Sequence, residues 1–305
     1  PAAATSTYEA ILELALDPDA VRALERLHKS AKRFDELLAL YERELAAAHD
    51  DQVRSADLLH RIAEVCLNDL SDADRAFDSL ERALEFVRDH GPTVATLEAL
   101  LEPREHRARA ATLLEPVYLA RLDGKKVMAT LEARIGVSDD KDDRKRLLER
   151  LAKLYEEQEE NYVAAMDTWA RLLAEDPLEE PTWLELERVA RVGNTPQRLA
   201  GVFSKELDAI TSDDEASAKL LRRTGALFSD SKSPDRAIPY YRRALAVDPA
   251  GDRESFAALD RLFRDSGKPE ERTALLKLGL EHRDEPKERI ALFQTLAEIA
   301  ESELR

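Results

Sequence analysis

The chain has little of what ties a fold down covalently or carries it through a membrane. It holds one cysteine, Cys66. No internal disulfide can form, and the redox compartment is left open. No apolar run approaches the ~18 residues of a membrane-spanning helix, so no membrane insertion is expected. Glycine is scarce, at 9 of 305 residues, and aromatics make up only 6%. No signal peptide opens the chain, which begins at Pro1 rather than Met, and we read it as a piece of a longer protein. Positive charge is in deficit too. Against 63 acidic residues stand 46 basic ones, a formal charge of −17. Such a field repels phosphate backbones, which argues against a nucleic-acid partner, and it favours basic partners and solubility.

Catalytic signatures are also missing. The sequence has no His-Glu-x-x-His, no phosphate-binding Gly-x-x-x-x-Gly-Lys, no Gly-x-Gly-x-x-Gly and no Gly-x-Ser-x-Gly. The six histidines, His28, His49, His60, His90, His106 and His282, are scattered, with no metal-ligand pair at helical spacing. Acidic runs such as Asp213-Asp214-Glu215 lack the glycine-kinked loop of a calcium site and read as helix starts. Cys66 reads as core filling, and Trp169 and Trp183 as packing about the Asp176-Pro177 turn. No enzyme, cofactor or metal is expected of this chain.

What the sequence does have is a repeat. Leu24, Leu97, Leu186 and Leu259 stand in similar five-residue settings, at spacings of 73, 89 and 73. Ala63, Ala152, Gly225 and Ala297 form a second set, at spacings of 89, 73 and 72. Self-similarity at such a period marks a stack of supersecondary units. The composition, 44% hydrophobic, 36% charged and rich in Ala, Leu, Glu and Arg, suits helices. Apolar residues recur at three- and four-residue steps, and prolines such as Pro18, Pro92, Pro177, Pro196, Pro234, Pro249 and Pro269 mark boundaries. The expectation is an all-α array of about 15 to 16 helices and no sheet. It is read as one array over 1–305, with double-hairpin units at 18–90, 91–177, 178–249 and an incomplete 250–305. The second unit carries 16 extra residues within 119–147, where 127–135 has room for one added short helix.

The second hairpin of the third unit resembles the tetratricopeptide repeat. Leu221, Thr224-Gly225, Phe228, Ala237, Tyr241, Ala244 and Pro249 match that family's pattern. Leu148, Leu151-Ala152, Tyr155, Ala165, Trp169, Leu172 and Pro177 follow it one unit earlier. Leu59, Ile62-Ala63, Cys66, Ala76, Leu80 and Ala83 follow it in the first unit. Hairpins 20–47 and 183–210 keep the apolar spacing but lose most of the small residues. The resemblance implies an α-solenoid, a right-handed superhelix of antiparallel helical hairpins. Its concave groove, lined by the first helix of each hairpin, takes peptides or protein segments.

On that geometry the groove carries Glu25 and Glu98 early in the chain. The candidate partner-binding residues lie in its middle: Arg146, Glu149, Lys153, Glu187, Arg191, Lys219 and Arg222. The expected function is a protein-interaction scaffold. The alternative is a docking or regulatory region of a larger enzyme. Self-association through the repeat ends is also expected, with Leu12, Leu16, Leu292, Leu296 and Ile299 as the apolar residues at risk of exposure.

Overall fold

The structure, a computed structural model, describes residues 2–48, 50–210 and 214–302. Pro1, His49, the 211–213 stretch that includes Asp213, and 303–305 lie outside the described residues. The described residues hold seventeen α-helices and no strand. The chain divides into two compact units, 1–147 and 148–305.

The first unit contains α1 (Ala2–Leu14), α2 (Pro18–Ala31), α3 (Phe34–Ala47), α4 (Gln52–Val65), α5 (Ala73–Phe86), α6 (Gly91–Ala99), α7 (Arg104–Ala120) and α8 (Gly124–Ile135). Helix α9 (Lys141–Glu157) holds the division between the units. The second unit continues with α10 (Tyr162–Glu175), α11 (Glu180–Val192), α12 (Pro196–Ala209), α13 (Glu215–Asp230) and α14 (Pro234–Val247). It closes with α15 (Arg253–Asp265), α16 (Pro269–His282) and α17 (Pro286–Ser302).

The helix starts follow from local chemistry. Asp17, Asp51, Asp72, Asp123, Asp214 and Asp252 each accept a backbone N–H of the first turn. Proline occupies the first turn of α2, α6, α11, α12, α14 and α16, where its missing N–H costs nothing. Asp214 forms a capping box with Ser217, so the acidic run there is a helix start.

One backbone device closes the hairpins. Lys32, Ser71, Leu122, Glu160, Asn194, Lys232 and Gly267 all have positive φ, between 47° and 63°. Each sits in the short turn between two paired helices, where a left-handed residue ends the first and aims the chain back. Only Gly267 is a glycine, and it has the freedom this φ requires. The short helix expected at 127–135 is the longer α8, and the Leu122 turn folds it back on α7. Among the described residues the helices number seventeen with α8 included, against the 15 or 16 expected. Helix α6, nine residues long, is joined to its neighbours without such a turn.

The small residues behave as their sequence positions require. Ala63, Ala76, Ala83, Ala152, Ala165, Ala237 and Ala244 are all fully buried. A Cβ on Gly225 would lie 2.9 Å from Cε2 of Tyr241, so glycine alone lets α13 approach α14 this closely. Cys66 is buried, and its burial pushes the thiol pKa up, as suits a core residue. It opens a π-helical turn, Cys66–Leu70, that extends α4. Trp183 Nε1 donates to the Pro177 carbonyl at 2.8 Å and Trp169 Nε1 to Glu156 at 3.1 Å, so both rings are packed with their polar edge satisfied.

The end helices differ from expectation. Leu12, Leu292 and Ile299 are buried, and Leu16 and Leu296 half-buried, because they face α2 and α16. The exposed apolar residues are their neighbours on the opposite faces: Ile11 and Leu14 on α1, Ile290 and Phe293 on α17.

Candidate functional site

The polar residues facing along the first unit are consumed by the fold. Glu25 of α2 accepts from the Tyr41 hydroxyl of α3 at 2.7 Å and from Lys29 at 2.8 Å. Burial raises its pKa, but these donors outweigh burial and hold it below the usual carboxylate range. Glu98 of α6 does the same for Tyr118 of α7 and Lys126 of α8, both at 2.7 Å. The hydrogen bond from Lys126, then that from Tyr118, keeps its pKa low. Both glutamates therefore tie one helix to the next and offer little to a partner.

His60 and His90, 30 residues apart in sequence, meet edge to face with ring centroids 6.1 Å apart. His60 Nε2 lies 2.9 Å from Thr96 Oγ1, while His90 contacts Thr93 Oγ1 at 2.8 Å and Asp57 Oδ1 at 3.0 Å. The cluster joins α4 to α6. It was not legible from residue spacing. No group of three potential metal ligands occurs among the described residues.

The seven candidate groove residues separate into three kinds. Arg146, near the start of α9, is 75% exposed and 3.4 Å from Asp143 one turn earlier. Glu149 and Lys153 pair with each other along α9 at 2.6 Å, and that hydrogen bond raises the lysine pKa. Lys219 of α13 reaches Glu180 of α11 at 2.8 Å. These are solvated pairs of the ordinary helix-surface kind.

Arg222 is different. Its side chain is only 14% exposed and turns toward the start of α15, where Asp252 lies at 3.3 Å and Glu254 at 3.7 Å. Burial opposes its charge, but Glu215 and Asp252 more than compensate and push its pKa up. It fastens α13 to α15.

Glu187 and Arg191 come together. Both line a cleft of about 470 Å³ between α11, α12 and α13. Its other walls include Asn194, Leu199, Arg223, Leu227 and Asp230. Arg223 Nη1 donates to Glu187 at 2.6 Å and holds it in place. Arg191 is exposed and makes no ion pair with any described residue. The cleft thus has an apolar floor, a neutralised acid–base pair and an arginine available to a carboxylate. Sequence reasoning missed Arg223 and took Arg222 instead. One residue along a helix turns the side chain by about 100°, which is the whole difference between cleft and α15. Asn194 was missed because it belongs to a turn, and its positive φ aims it into the cleft.

Residues 20–55 match the family model of the tetratricopeptide repeat, so the chain carries that repeat at α2–α3. This hairpin is one that had lost most of the small residues, and the resemblance is thus not confined to alternate hairpins. The comparison with curated proteins found no match. Among solved structures, one of MamA protein matches 57% of this chain and 91% of its own, at 14% identity and a TM-score of 0.32. The P58(IPK) TPR domain matches 94% of this chain and 99% of its own, at 12% identity and a TM-score of 0.26. A structure of Naa15/Naa10 bound to HypK-THB matches 92% of this chain and 38% of its own, at 12% identity and a TM-score of 0.36.

Proposed function

We propose that this chain is a non-catalytic protein-interaction scaffold, one array of tetratricopeptide-like hairpins that takes a protein or peptide segment in the cleft between α11 and α13. The 73-residue double-hairpin rhythm is its building unit. One observation carries the reading. Across that cleft Arg191 stays exposed and unpaired among described residues, beside an apolar floor of Leu199 and Leu227, while Glu187 is held by Arg223 and Lys219 by Glu180. An acidic residue next to an apolar side chain is the ligand chemistry such a site recognises. The tetratricopeptide match at 20–55 supports the same class of role.

The test is binding. A peptide library displayed on phage is selected on the parent protein, and the selected peptide is titrated against Arg191→Glu, the one cleft cation left unpaired among described residues. The expected result is a loss of affinity of at least about tenfold, with helicity unchanged. A peptide that binds both proteins equally well places recognition elsewhere.

A further inference from the structure

The groove between α14 and α16 has lost the ion pair that bridges its counterpart. Both helices pack on α15 and lie side by side. Their counterparts one unit earlier are α10 and α12. Helix α10 runs into Asp176-Pro177 and α14 into Asp248-Pro249, 72 residues later. Helices α12 and α16 open at Pro196 and Pro269, 73 residues apart. Between α10 and α12, Arg198 Nε donates to Asp167 at 3.2 Å and spans the groove. In the later pair the same positions hold Glu271 and Pro239, which can form no such bond. Lys205 of α12, an exposed residue, becomes Leu278 of α16. Each change on α16 takes a cation off the groove.

What remains is a cleft of about 550 Å³. Leu259 and Phe263 of α15 form its floor, and Leu245 and Leu275 line its walls. Its rim charges are free. Arg242 is exposed and lies over the Phe263 ring at 5.3 Å, and Glu271 is half-buried. Neither makes an ion pair with any described residue. The end of the sequence does not create this opening. The Arg198–Asp167 pair stands at the same place inside the array, and its side chains are 43% and 53% exposed. No later helix covers the groove there.

We propose that this cleft docks an amphipathic helix of another protein, on a surface separate from the α11–α13 cleft. The spacing of the walls points to a helix. Glu271, Ala274, Leu275 and Leu278 on α16 advance by three, one and three residues, and Arg242, Leu245 and Ala246 on α14 begin the same way. Two parallel ridges of that kind seat a third helix between them. Charge decides what that helix carries. The Lys268–Asp235 bond, at 2.7 Å, joins the starts of α16 and α14 and sets their register. Leu275 then lies beside Arg242, so Arg242 stands one turn beyond Glu271 along the cleft, and Leu278 about one turn beyond that. The helix that fits presents a Lys or Arg to Glu271 and an Asp or Glu to Arg242 at its next turn. At the turn after, it sets a large apolar residue against Leu278 and Ala246. Burial holds such a partner, and the order of its charges selects it.

The experiment uses the full chain carrying Arg191→Glu, which disables the α11–α13 cleft and leaves α14 and α16 untouched, so the two readings fail separately. A phage library built on an alanine-rich helix, randomised along one face, is selected on this protein. The chosen helix is then titrated by fluorescence anisotropy. It is expected to carry base, acid and large apolar residue in that order, one turn apart. Leu278→Lys installs the residue that α12 holds at this place, so folding is retained, and circular dichroism checks it. It should weaken binding at least about tenfold. Exchanging the rim charges, Arg242→Glu with Glu271→Arg, should weaken the chosen helix to a similar degree and favour a helix with its acid and base exchanged. A library that yields no helix overturns the proposal, as does a helix that binds both variants as well as the parent. Concentration-dependent dimerisation that Leu278→Lys abolishes would give the cleft to a second copy and overturn it too.

Discussion

Gly225 is the position where the packing of the array is most exposed to test. Its missing side chain holds α13 against the Tyr241 ring of α14, and a Cβ there would sit 2.9 to 3.0 Å from Cε2, Cδ2 and Cζ. Ordinary carbon contact begins near ~3.5 Å, so the ring must retreat by about half an ångström. Tyr241 is 3% exposed and has little room to do so. For Gly225→Ala two effects compete. Helix propensity favours alanine by about 1 kcal/mol. Overpacking a tight contact costs about 1–3 kcal/mol. The net expectation is a loss of about 1 kcal/mol for alanine and about 3 kcal/mol for Gly225→Leu, which has nowhere to place its branched end. The chain itself holds the remedy, since the corresponding pair in α4 and α5 is Ala63 with Leu80, both fully buried. Gly225→Ala combined with Tyr241→Leu should therefore be more stable than the two single effects add to, by about 1 kcal/mol. Urea unfolding followed through Trp169 and Trp183, both in the same unit, reads the local transition. Exchange of the α13 and α14 amides reads it independently. Strict additivity to within about 0.5 kcal/mol would refute the close-contact argument.

Other consequences follow from single residues. Leu122 holds a left-handed conformation with its side chain 91% exposed, so Leu122→Gly removes strain and no contact. It should stabilise the first unit by about 0.5–1 kcal/mol in denaturant unfolding, because the strain relieved exceeds glycine's entropy cost. Burial lowers the His60 pKa, helped by His90 and Arg61 and opposed by Glu64 and Asp57. The unfolded chain then binds the proton more readily. The stability this position contributes is full above the unfolded value of ~6.5 and falls as pH drops below it. His60→Gln should flatten the change in stability between pH 7 and pH 5, and a parent whose stability rises over that interval would contradict the sign. Arg222→Ala should destabilise α13 and α15 without touching the cleft, because it leaves Oδ2 of the buried cap Asp252 without its cation. Unfolding midpoint should drop while the selected peptide still binds the folded protein.

Much of the fold was legible because its signals are local and repeated. Proline in the first turn and aspartate at the cap mark the helix starts, and the period-73 markers pick out buried small residues such as Ala63 and Ala152. What escaped were features with no residue signature. The turn that pairs α7 with α8 has a leucine in the left-handed position, where sequence habit asks for glycine or asparagine. The His60–His90 contact arises from the stacking of α4 on α6 and leaves no trace in spacing. Of the seven candidate groove residues, two line the α11–α13 cleft and the others do not. Glu187 and Arg191 line the cleft, whereas Arg222 points away from it and its neighbour Arg223 points in. At the chain ends the reading named the residues of the core face, Leu12 and Leu292. The outward stripe belongs to Leu14, Ile290 and Phe293, because an amphipathic pattern alone does not say which side finds a partner.

The central proposal is that the cleft between α11 and α13 holds a segment of another protein. Amide hydrogen exchange, measured with and without the selected peptide, tests that most directly. The account predicts slowed exchange confined to the α11–α12 turn around Asn194 and to the stretch of α13 carrying Arg223 and Leu227, with α4–α6 unchanged. Protection elsewhere in the chain, with the α11–α13 cleft exchanging as in the free protein, would contradict it.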